Sequence, residues 1–240
     1  MKPGINQWAF PHDMPVEDCM HLAKQSGFEA FEVCVGESGP ISLDARESDI
    51  IAIRRMAESC GLVLHSVACG DGWKYPLTAT DESVRDKAKE TISKTLQIAQ
   101  WLDADSILVV PGVVDAETYY DVAIENALAG VRDLADTAEE LQVSIALENV
   151  WNKFLLSPVE MRDFIDQCES AFVGAYVDVG NMLVYGYPEH WLRILDHRVH
   201  AVHMKDFRMA TGNINGFVML MEGDVNWPAV MAALRDVEYD

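Results

Sequence analysis

Seven short apolar segments rich in β-branched residues recur along the chain, and longer segments with helical periodicity separate them. The apolar segments are Gly4–Trp8, Glu29–Val35, Leu62–Ala68, Ser106–Val110, Val143–Leu147, Phe172–Val177 and Val199–Met204. Strands buried on both faces have this composition, and strands that alternate with helices form right-handed βαβ units with a parallel sheet. This alternation therefore predicts an α/β fold.

The segments between the predicted strands carry helical patterns and helix start signals. Within Ala123–Leu141 the apolar residues fall on one face and acidic residues occupy the rest. Ser157, followed by a proline and by Glu160, is a strong helix start signal, whereas Asp81 and Asn226 are weaker ones. These signals support helices between the strands.

The spacing of the predicted strands selects one architecture. Their starts lie about 32 residues apart on average, as expected for a (β/α)8 TIM barrel of about 250 residues. A doubly wound open sheet is the competing architecture, but it favours a glycine-rich phosphate turn after the first strand, and 8–11 (WAFP) is not one. We therefore expect residues 1–240 to form a single TIM-barrel domain.

The same spacing bears on the end of the chain. It places an eighth strand at about residue 231, and the helix predicted from Trp227 moves that strand to about residue 241. We therefore expect a barrel truncated before its eighth strand, and a natural protein that continues past Asp240 with a strand and a final helix.

Charge and cysteine content limit the possible partners. The chain has 39 acidic and 18 basic residues, a formal net charge of −21, which repels nucleic acid and anionic lipid surfaces. No apolar run reaches the roughly 18 residues of a membrane span, and the first residues do not resemble a signal peptide. The five cysteines are scattered and form no CxxC pair. The sequence predicts a reduced cytoplasmic protein that binds neither nucleic acid nor membrane, with a homo-oligomer as an open alternative.

Three predicted strands end in side chains that can bind a metal. Glu148, Asp178 and His203 stand at the ends of the fifth, sixth and seventh strands, where a TIM barrel places its catalytic groups. Each alone is well explained as a polar residue that ends a strand, but three at corresponding points favour a divalent metal site. Two carboxylates and an imidazole suit Mn²⁺, Co²⁺, Zn²⁺ or Mg²⁺, with Mg²⁺ the least favoured. Strand alternation predicts that His200 points away from this site.

Several motifs resemble those of one superfamily. They are 147–149 (LEN), 178–181 (DVGN), 203–206 (HMKD) and 222–227 (EGDVNW), with further similarity at 4–8 and between 64 and 112. These residues resemble the xylose isomerase-like TIM barrel superfamily, and within it the sugar phosphate isomerase/epimerase group. That group includes hexulose-phosphate isomerase-like, L-ribulose-5-phosphate 3-epimerase and ketose 3-epimerase proteins.

The resemblance implies roles for the matched residues. Glu148 matches a glutamate that binds metal and moves a proton, and Asp178 and His203 match the second and third ligands. Asn181 stands where many members have histidine, and it can donate to a substrate oxygen. The family's fourth ligand, a glutamate on the eighth strand, is expected to have no counterpart here, because the chain ends before that strand. Glu222 lies in the loop before the last helix and is expected to position that loop instead.

The reaction implied by the resemblance is proton transfer through an enediolate of a ketose or ketose phosphate, with a divalent metal. The resemblance also implies a second proton-transferring carboxylate, which in the family stands on the eighth strand. A form that ends at Asp240 is therefore expected to show little or no turnover.

Substrate contacts are expected from residues at the mouth of the barrel. Four cations fall in segments that we place there: Lys74, Lys153, Lys205 and Arg208. In a chain of this charge they favour a phosphorylated sugar, and Arg208 matches a basic residue of related epimerases. His65, placed at the end of the third strand, and Trp8, after the first, are expected to line the pocket. Solvated lysines, a core histidine and rim packing of Trp8 are the alternatives.

Three other functions remain open from the sequence. An endonuclease IV-like hydrolase uses the same fold, but the net charge and the seven histidines argue against it. An inosose dehydratase-like lyase shares the expected ligands. A metal- or sugar-binding protein without activity is the third.

Overall fold

The computed structural model describes residues Met1–Tyr239, in which strands and helices alternate along the chain. The strands are β1 (Gly4–Asn6), β2 (Ala30–Gly36), β3 (Ile41–Ser42), β4 (Ser66–Cys69), β5 (Ser106–Val109), β6 (Ser144–Glu148), β7 (Val173–Asp178), β8 (Val199–His203), β9 (Asp206–Phe207) and β10 (Phe217–Val218). The helices are α1 (Val16–Gln25), α2 (Glu47–Cys60), α3 (Glu82–Leu102), α4 (Tyr120–Leu141), α5 (Pro158–Gln167), α6 (Pro188–Leu195) and α7 (Trp227–Asp236).

Seven of the strands form a parallel sheet in the order β1-β2-β4-β5-β6-β7-β8, and the short β3 pairs with β2. Because β3 intervenes, the third to seventh predicted strands are β4 to β8. The pair β9–β10 forms a separate antiparallel hairpin after β8. The predicted parallel α/β fold is confirmed.

Side-chain contacts across the sheet show that it curls into a barrel. Glu32 on β2 hydrogen-bonds Tyr176 on β7 and His203 on β8. In a flat sheet β2 and β8 would lie about 24 Å apart, since neighbouring strands are spaced by about 4.8 Å. The strands therefore wrap around a common interior, as in a TIM barrel. Within residues Met1–Tyr239, β1 and β8 are the two edges of this sheet.

The core has an outer and an inner part. The outer part packs the helices against the strands, and its largest fully buried side chain is Trp191 of α6. The inner part contains a second buried cluster that includes Cys34, Ala68, Ala146 and Tyr176. Most members of this cluster are small or slender, and buried polar side chains of the same strands share the interior.

The predicted helix start signals are confirmed as caps. The Ser157 hydroxyl accepts a hydrogen bond from the Glu160 backbone N–H at 3.2 Å, and the Glu160 carboxylate accepts from the Leu156 N–H at 2.7 Å. Asp81 and Asn226 cap α3 and α7 in the same way, accepting from backbone N–H groups in the first turn. In the part of the chain that the structure describes, no helix combines the length and apolarity needed to cross a bilayer.

Candidate metal centre at the carboxyl ends of the strands

Glu148, Asp178 and His203 are the last residues of β6, β7 and β8, and the structure brings them together. One potential ligand atom from each lies within 4.8 Å of the others. Asp178 is paired with His203 in the sheet register, and Glu148 is paired with Tyr176, two residues before Asp178. Parallel strands in this register deliver three side chains to one edge of the barrel, as the sequence predicted.

Backbone and amide groups fix the orientation of Asp178. Its Oδ1 accepts the backbone N–H groups of Gly180 and Asn181 at 2.9 and 2.8 Å. The Asn149 side chain bonds the backbone N–H and C=O of Asp178, both at 2.8 Å. The second oxygen, Oδ2, is therefore left for a cation, and the Lys205 ammonium lies 2.7 Å from it.

Burial changes the proton affinity of the groups at this site. Burial raises the pKa of the Glu148 carboxyl, and the nearby negative charge of Asp178 adds to the increase, although His203 opposes it. Burial acts to lower the pKa of Lys205, but the Asp178 carboxylate outweighs it and the pKa is raised. Glu148 is thus a carboxyl group that gains and loses a proton closer to neutral pH than an exposed glutamate does.

His203 lies between two carboxylates. Its Nε2 is 2.7 Å from Glu32 Oε2, and its Nδ1 is 3.5 Å from Glu148 Oε1. Burial alone would lower the pKa of His203, but Glu32 and Glu148 raise it to about 10.

The three gathered side chains fit a divalent metal ion. Glu32, Glu148 and Asp178 are three buried carboxylates, and the Lys205 ammonium and a protonated His203 balance only two of their charges, so a further positive charge is needed. Two atoms bound to one ion lie at most about 4.4 Å apart, because each ligand bond is about 2.0–2.2 Å long. The observed spacing of up to 4.8 Å is slightly larger, so small side-chain rotations would bring the three atoms within reach of one ion. An oxygen–oxygen–nitrogen donor set accepts Mn²⁺, Co²⁺, Zn²⁺ or Mg²⁺, as expected from the sequence.

Asn181 and Lys205 lie at the same site. The Asn181 amide donates to the Asn149 carbonyl at 3.0 Å, and its oxygen accepts from the Lys205 ammonium at 3.4 Å. One amide hydrogen of Asn181 is thereby used inside the protein. Their predicted contact with substrate remains a prediction.

Arg208 and Trp8 follow strands at the same end of the barrel as the gathered ligands. Arg208 follows β9, and its guanidinium donates to the backbone carbonyl of Glu222 at 2.8 Å. Trp8 follows β1 and is 55% exposed, so its ring is accessible at the rim. Of the other predicted cations, Lys74 is ion-paired with Glu37 at 2.7 Å, and Lys153 is exposed.

The expectation that His65 ends the third strand is wrong. The strand begins at Ser66, so His65 precedes it and lies at the amino-terminal end of the barrel, away from the metal centre. There its Nδ1 is 3.0 Å from an oxygen of Asp105, the residue before β5. The first half of the apolar run from Leu62 leads into β4, and within it Val63 forms only a single bridge with Ala30.

Sequence reasoning missed Glu32, which is buried in the middle of β2. Its carboxylate bonds Asn6, Ser66, Tyr176 and His203. Burial would raise the pKa of Glu32, but the charge and hydrogen bond of His203 and the bonds from Asn6 and Ser66 lower it. The available signal was a lone carboxylate inside an otherwise apolar strand.

The motif at 222–227 forms the loop before α7, as the sequence suggested for Glu222. The buried Asp206 carboxylate accepts the backbone N–H groups of Gly223 and Val225 and the indole N–H of Trp227. A Cβ on Gly223 would lie 2.1 Å from Asp206 Oδ1, so glycine is required for this close approach.

Fold and site together define a TIM barrel with a buried carboxylate, carboxylate and histidine site at the carboxyl ends of its strands. The xylose isomerase-like TIM barrel family matches residues 20–240, and the chain belongs to that family. The resemblance drawn from the motifs is confirmed.

Named relatives and solved structures agree with this family. The chain is 26% identical over 246 residues to the Escherichia coli (strain K12) protein SgbU, provisionally named an L-ribulose-5-phosphate 3-epimerase, covering 98% of this chain and 85% of SgbU. It is 25% identical over 244 residues to the L-ribulose-5-phosphate 3-epimerase UlaE of Salmonella paratyphi C (strain RKS4594), covering 98% and 83%. A crystal structure of D-psicose 3-epimerase in the presence of D-fructose shares the fold, with a TM-score of 0.84, 19% identity and coverage of 100% and 82%. These relatives place the chain among sugar isomerases and epimerases.

Proposed function

We propose that the protein is a divalent-metal-dependent epimerase or isomerase of a ketose or ketose phosphate. The observation that carries the proposal is Glu148, a buried carboxyl with a raised pKa beside Asp178 and His203. The relatives named L-ribulose-5-phosphate 3-epimerase favour epimerisation at C3 of a phosphorylated pentulose among the possible reactions.

The chain's own residues supply the proton transfer. Glu148 removes the proton from the carbon beside the carbonyl, and its raised pKa lets it hold that proton while the enediolate exists. Asp178 and His203, together with Glu148, would hold the divalent ion. A bound divalent ion supplies the positive charge that stabilises the developing oxyanion.

Epimerisation also needs an acid that returns the proton to the opposite face of the carbon. In this proposal that acid is the eighth-strand glutamate that the resemblance to epimerases implies. Lys205, Asn181, Arg208 and Trp8 are the proposed substrate contacts on this chain, and Arg208 is the proposed partner of a phosphate. The same proposal includes a cytoplasmic location, which the scattered cysteines favour. It also includes no binding to nucleic acid, because the net charge of −21 repels phosphate backbones.

A solvent-exchange experiment tests this proposal on residues 1–240 alone. The Mn²⁺-loaded protein is incubated in D₂O with L-ribulose 5-phosphate, L-ribulose or D-fructose, and NMR follows the proton signals at C1 and C3. We expect deuterium to enter at C3, with the phosphorylated ketose exchanging fastest. Exchange at C1 would indicate an isomerase instead, and a product lacking one water would indicate a lyase.

Glu148→Gln is the informative variant, because it keeps the side-chain shape and removes the base. We expect exchange to fall by about 10²–10⁴-fold, the usual contribution of a general base. Glu139→Gln, on the exposed face of α4, is the matched control and should exchange like the wild type. Absence of exchange with every ketose in the Mn²⁺-loaded wild type would reject the proposed function.

A further inference from the structure

Four side chains surround the Glu32 carboxylate inside the barrel. Oε1 accepts the Ser66 and Tyr176 hydroxyls, both at 2.9 Å. Oε2 accepts the Asn6 amide and lies 2.7 Å from His203 Nε2. These groups come from β1, β4, β7 and β8, so four strands determine where this carboxylate points.

The burial of Glu32 needs an explanation that packing does not provide. Glu32 is 6% exposed, and its neighbours along β2, Phe31 and Val33, are fully buried. A carboxylate in such surroundings is costly unless it is paired and fully hydrogen-bonded. Of these partners only His203 can carry a positive charge, so His203 is the group with which the Glu32 carboxylate forms an ion pair.

Each ring nitrogen of His203 lies near a different carboxylate. Glu32 bonds Nε2 at 2.7 Å, whereas Nδ1 faces Glu148 at 3.5 Å, on the side of the gathered ligands. The Tyr176 ring also packs on the imidazole, with the ring centroids 4.4 Å apart. These contacts hold the ring in one plane and one direction.

We propose that Glu32 is a positioning residue that keeps the proton of His203 on Nε2 and so presents Nδ1 as the metal ligand. The role rests on the metal centre of the proposed function. Histidine ligands commonly donate their second N–H to a carboxylate, which fixes the tautomer and makes the ligating nitrogen more basic. Glu32 has the geometry for this role, and Asn6, Ser66 and Tyr176 orient Glu32 in turn.

Metal affinity measured without substrate tests the role of Glu32. Isothermal titration calorimetry with MnCl₂ compares the wild type with Glu32→Gln, which keeps the side-chain volume and an acceptor oxygen but removes the charge. We expect Mn²⁺ to bind about 10- to 100-fold more weakly to Glu32→Gln. Ser66→Ala is the matched control, because it removes a hydrogen bond to Oε1 and leaves the bond that Oε2 accepts from His203. Its loss of affinity should be clearly smaller.

A second measurement needs no variant. In the Zn²⁺-loaded wild type with ¹⁵N-labelled histidine, NMR should show His203 with a proton on Nε2 and with Nδ1 shifted by the metal. Zinc on Nε2 would overturn the proposal, as would equal Mn²⁺ affinity in the wild type and a folded Glu32→Gln. A wild type that binds neither ion would reject the metal centre as well, whereas metal binding without any ketose exchange would reject only the proposed reaction.

Discussion

Asp178 and Glu148 are both buried carboxylates, but they differ in their hydrogen-bond partners and therefore in the chemistry for which they are suited. Asp178 has one oxygen occupied by two backbone N–H groups, which fix its direction. Among residues 1–239 no backbone N–H group donates to the Glu148 carboxyl, and burial raises its pKa. Of the two, Asp178 is suited to hold a cation, and Glu148 is suited to exchange a proton.

His65 and Asp105 form an ion pair whose contribution to stability depends on pH. The hydrogen bond with Asp105 raises the pKa of His65 above its ordinary 6.5, although burial opposes the increase. The His65 contribution is therefore complete below about pH 6.5 and is lost as the pH rises through the higher folded-state value. The bond with His65 lowers the pKa of Asp105, so the Asp105 contribution disappears as the pH falls below about 4.

We therefore expect His65→Gln to lower the free energy of unfolding more at about pH 5.5 than at about pH 8.5. Both side chains are partly exposed, 38% and 75%, so solvent screening keeps the difference below about 1 kcal/mol. Urea denaturation at the two pH values measures it. Asp105→Asn should remove the same pH dependence, and the double variant should add nothing further. A pH difference that survives in the double variant would contradict this assignment.

Residue types at strand ends were predictable from the sequence, but the partners of a residue were not. Glu148, Asp178 and His203 each follow an apolar run, so a parallel sheet necessarily collects them at one edge. Glu32 gave no such signal, because its importance comes from residues up to 171 positions away in the chain. Long-range pairs of this kind appear only when the sheet closes into a barrel.

Among the elements, the loop between β10 and α7 depends on one buried carboxylate. Asp206 is fully buried and accepts four N–H groups, those of Phe207, Gly223 and Val225 and the Trp227 indole. Burial would raise the pKa of Asp206, but these donors lower it. Through this loop Asp206 also supports Arg208, which bonds the Glu222 carbonyl.

Asp206→Ala should destabilise the protein by more than about 3 kcal/mol, because each buried donor left without an acceptor costs about 1–3 kcal/mol. Urea denaturation followed by tryptophan fluorescence measures the change. Asp224→Asn is the matched control, since the exposed Asp224 accepts a single bond from the Met209 N–H at 2.7 Å. We expect that control to cost less than about 1 kcal/mol. Equal losses in the two variants would show that Asp206 does not organise the loop.

The order of the elements was predictable, and irregular geometry within them was not. All seven predicted apolar runs contain or overlap a strand of the parallel sheet, because composition and spacing are properties of the local sequence. His200 departs from the expected alternation, since β8 has a bulge where Ala175 pairs with Val199 and Tyr176 with Ala201. Its ring lies against Gly174, where an added Cβ would approach within 2.6 Å. Because Gly174 on β7 has no side chain, it leaves the space that the His200 ring occupies.

At the scale of the whole molecule, the described part of the barrel has two strand edges, β1 and β8. Edge strands leave backbone N–H and C=O groups without strand partners, and such groups are satisfied by other means or exposed to water. Near β8 a side chain takes this role. Burial raises the pKa of the Tyr239 phenol to about 12, although the backbone N–H of Val202 on β8, which lies beside the phenol oxygen, opposes the increase.

Hydrogen exchange of single amides tests whether Tyr239 protects this edge. In Tyr239→Phe the ring is kept and the acceptor is lost, so the Val202 amide should exchange about 2- to 12-fold faster, as the loss of a hydrogen bond worth about 0.5–1.5 kcal/mol requires. The amide of Ala146, on β6 between two neighbouring strands, should be unaffected and serves as the internal control. Unchanged exchange at Val202, with Tyr239→Phe folded, would mean that another group covers this edge. A parallel increase at Ala146 would mean that the variant loosens the whole barrel rather than its edge.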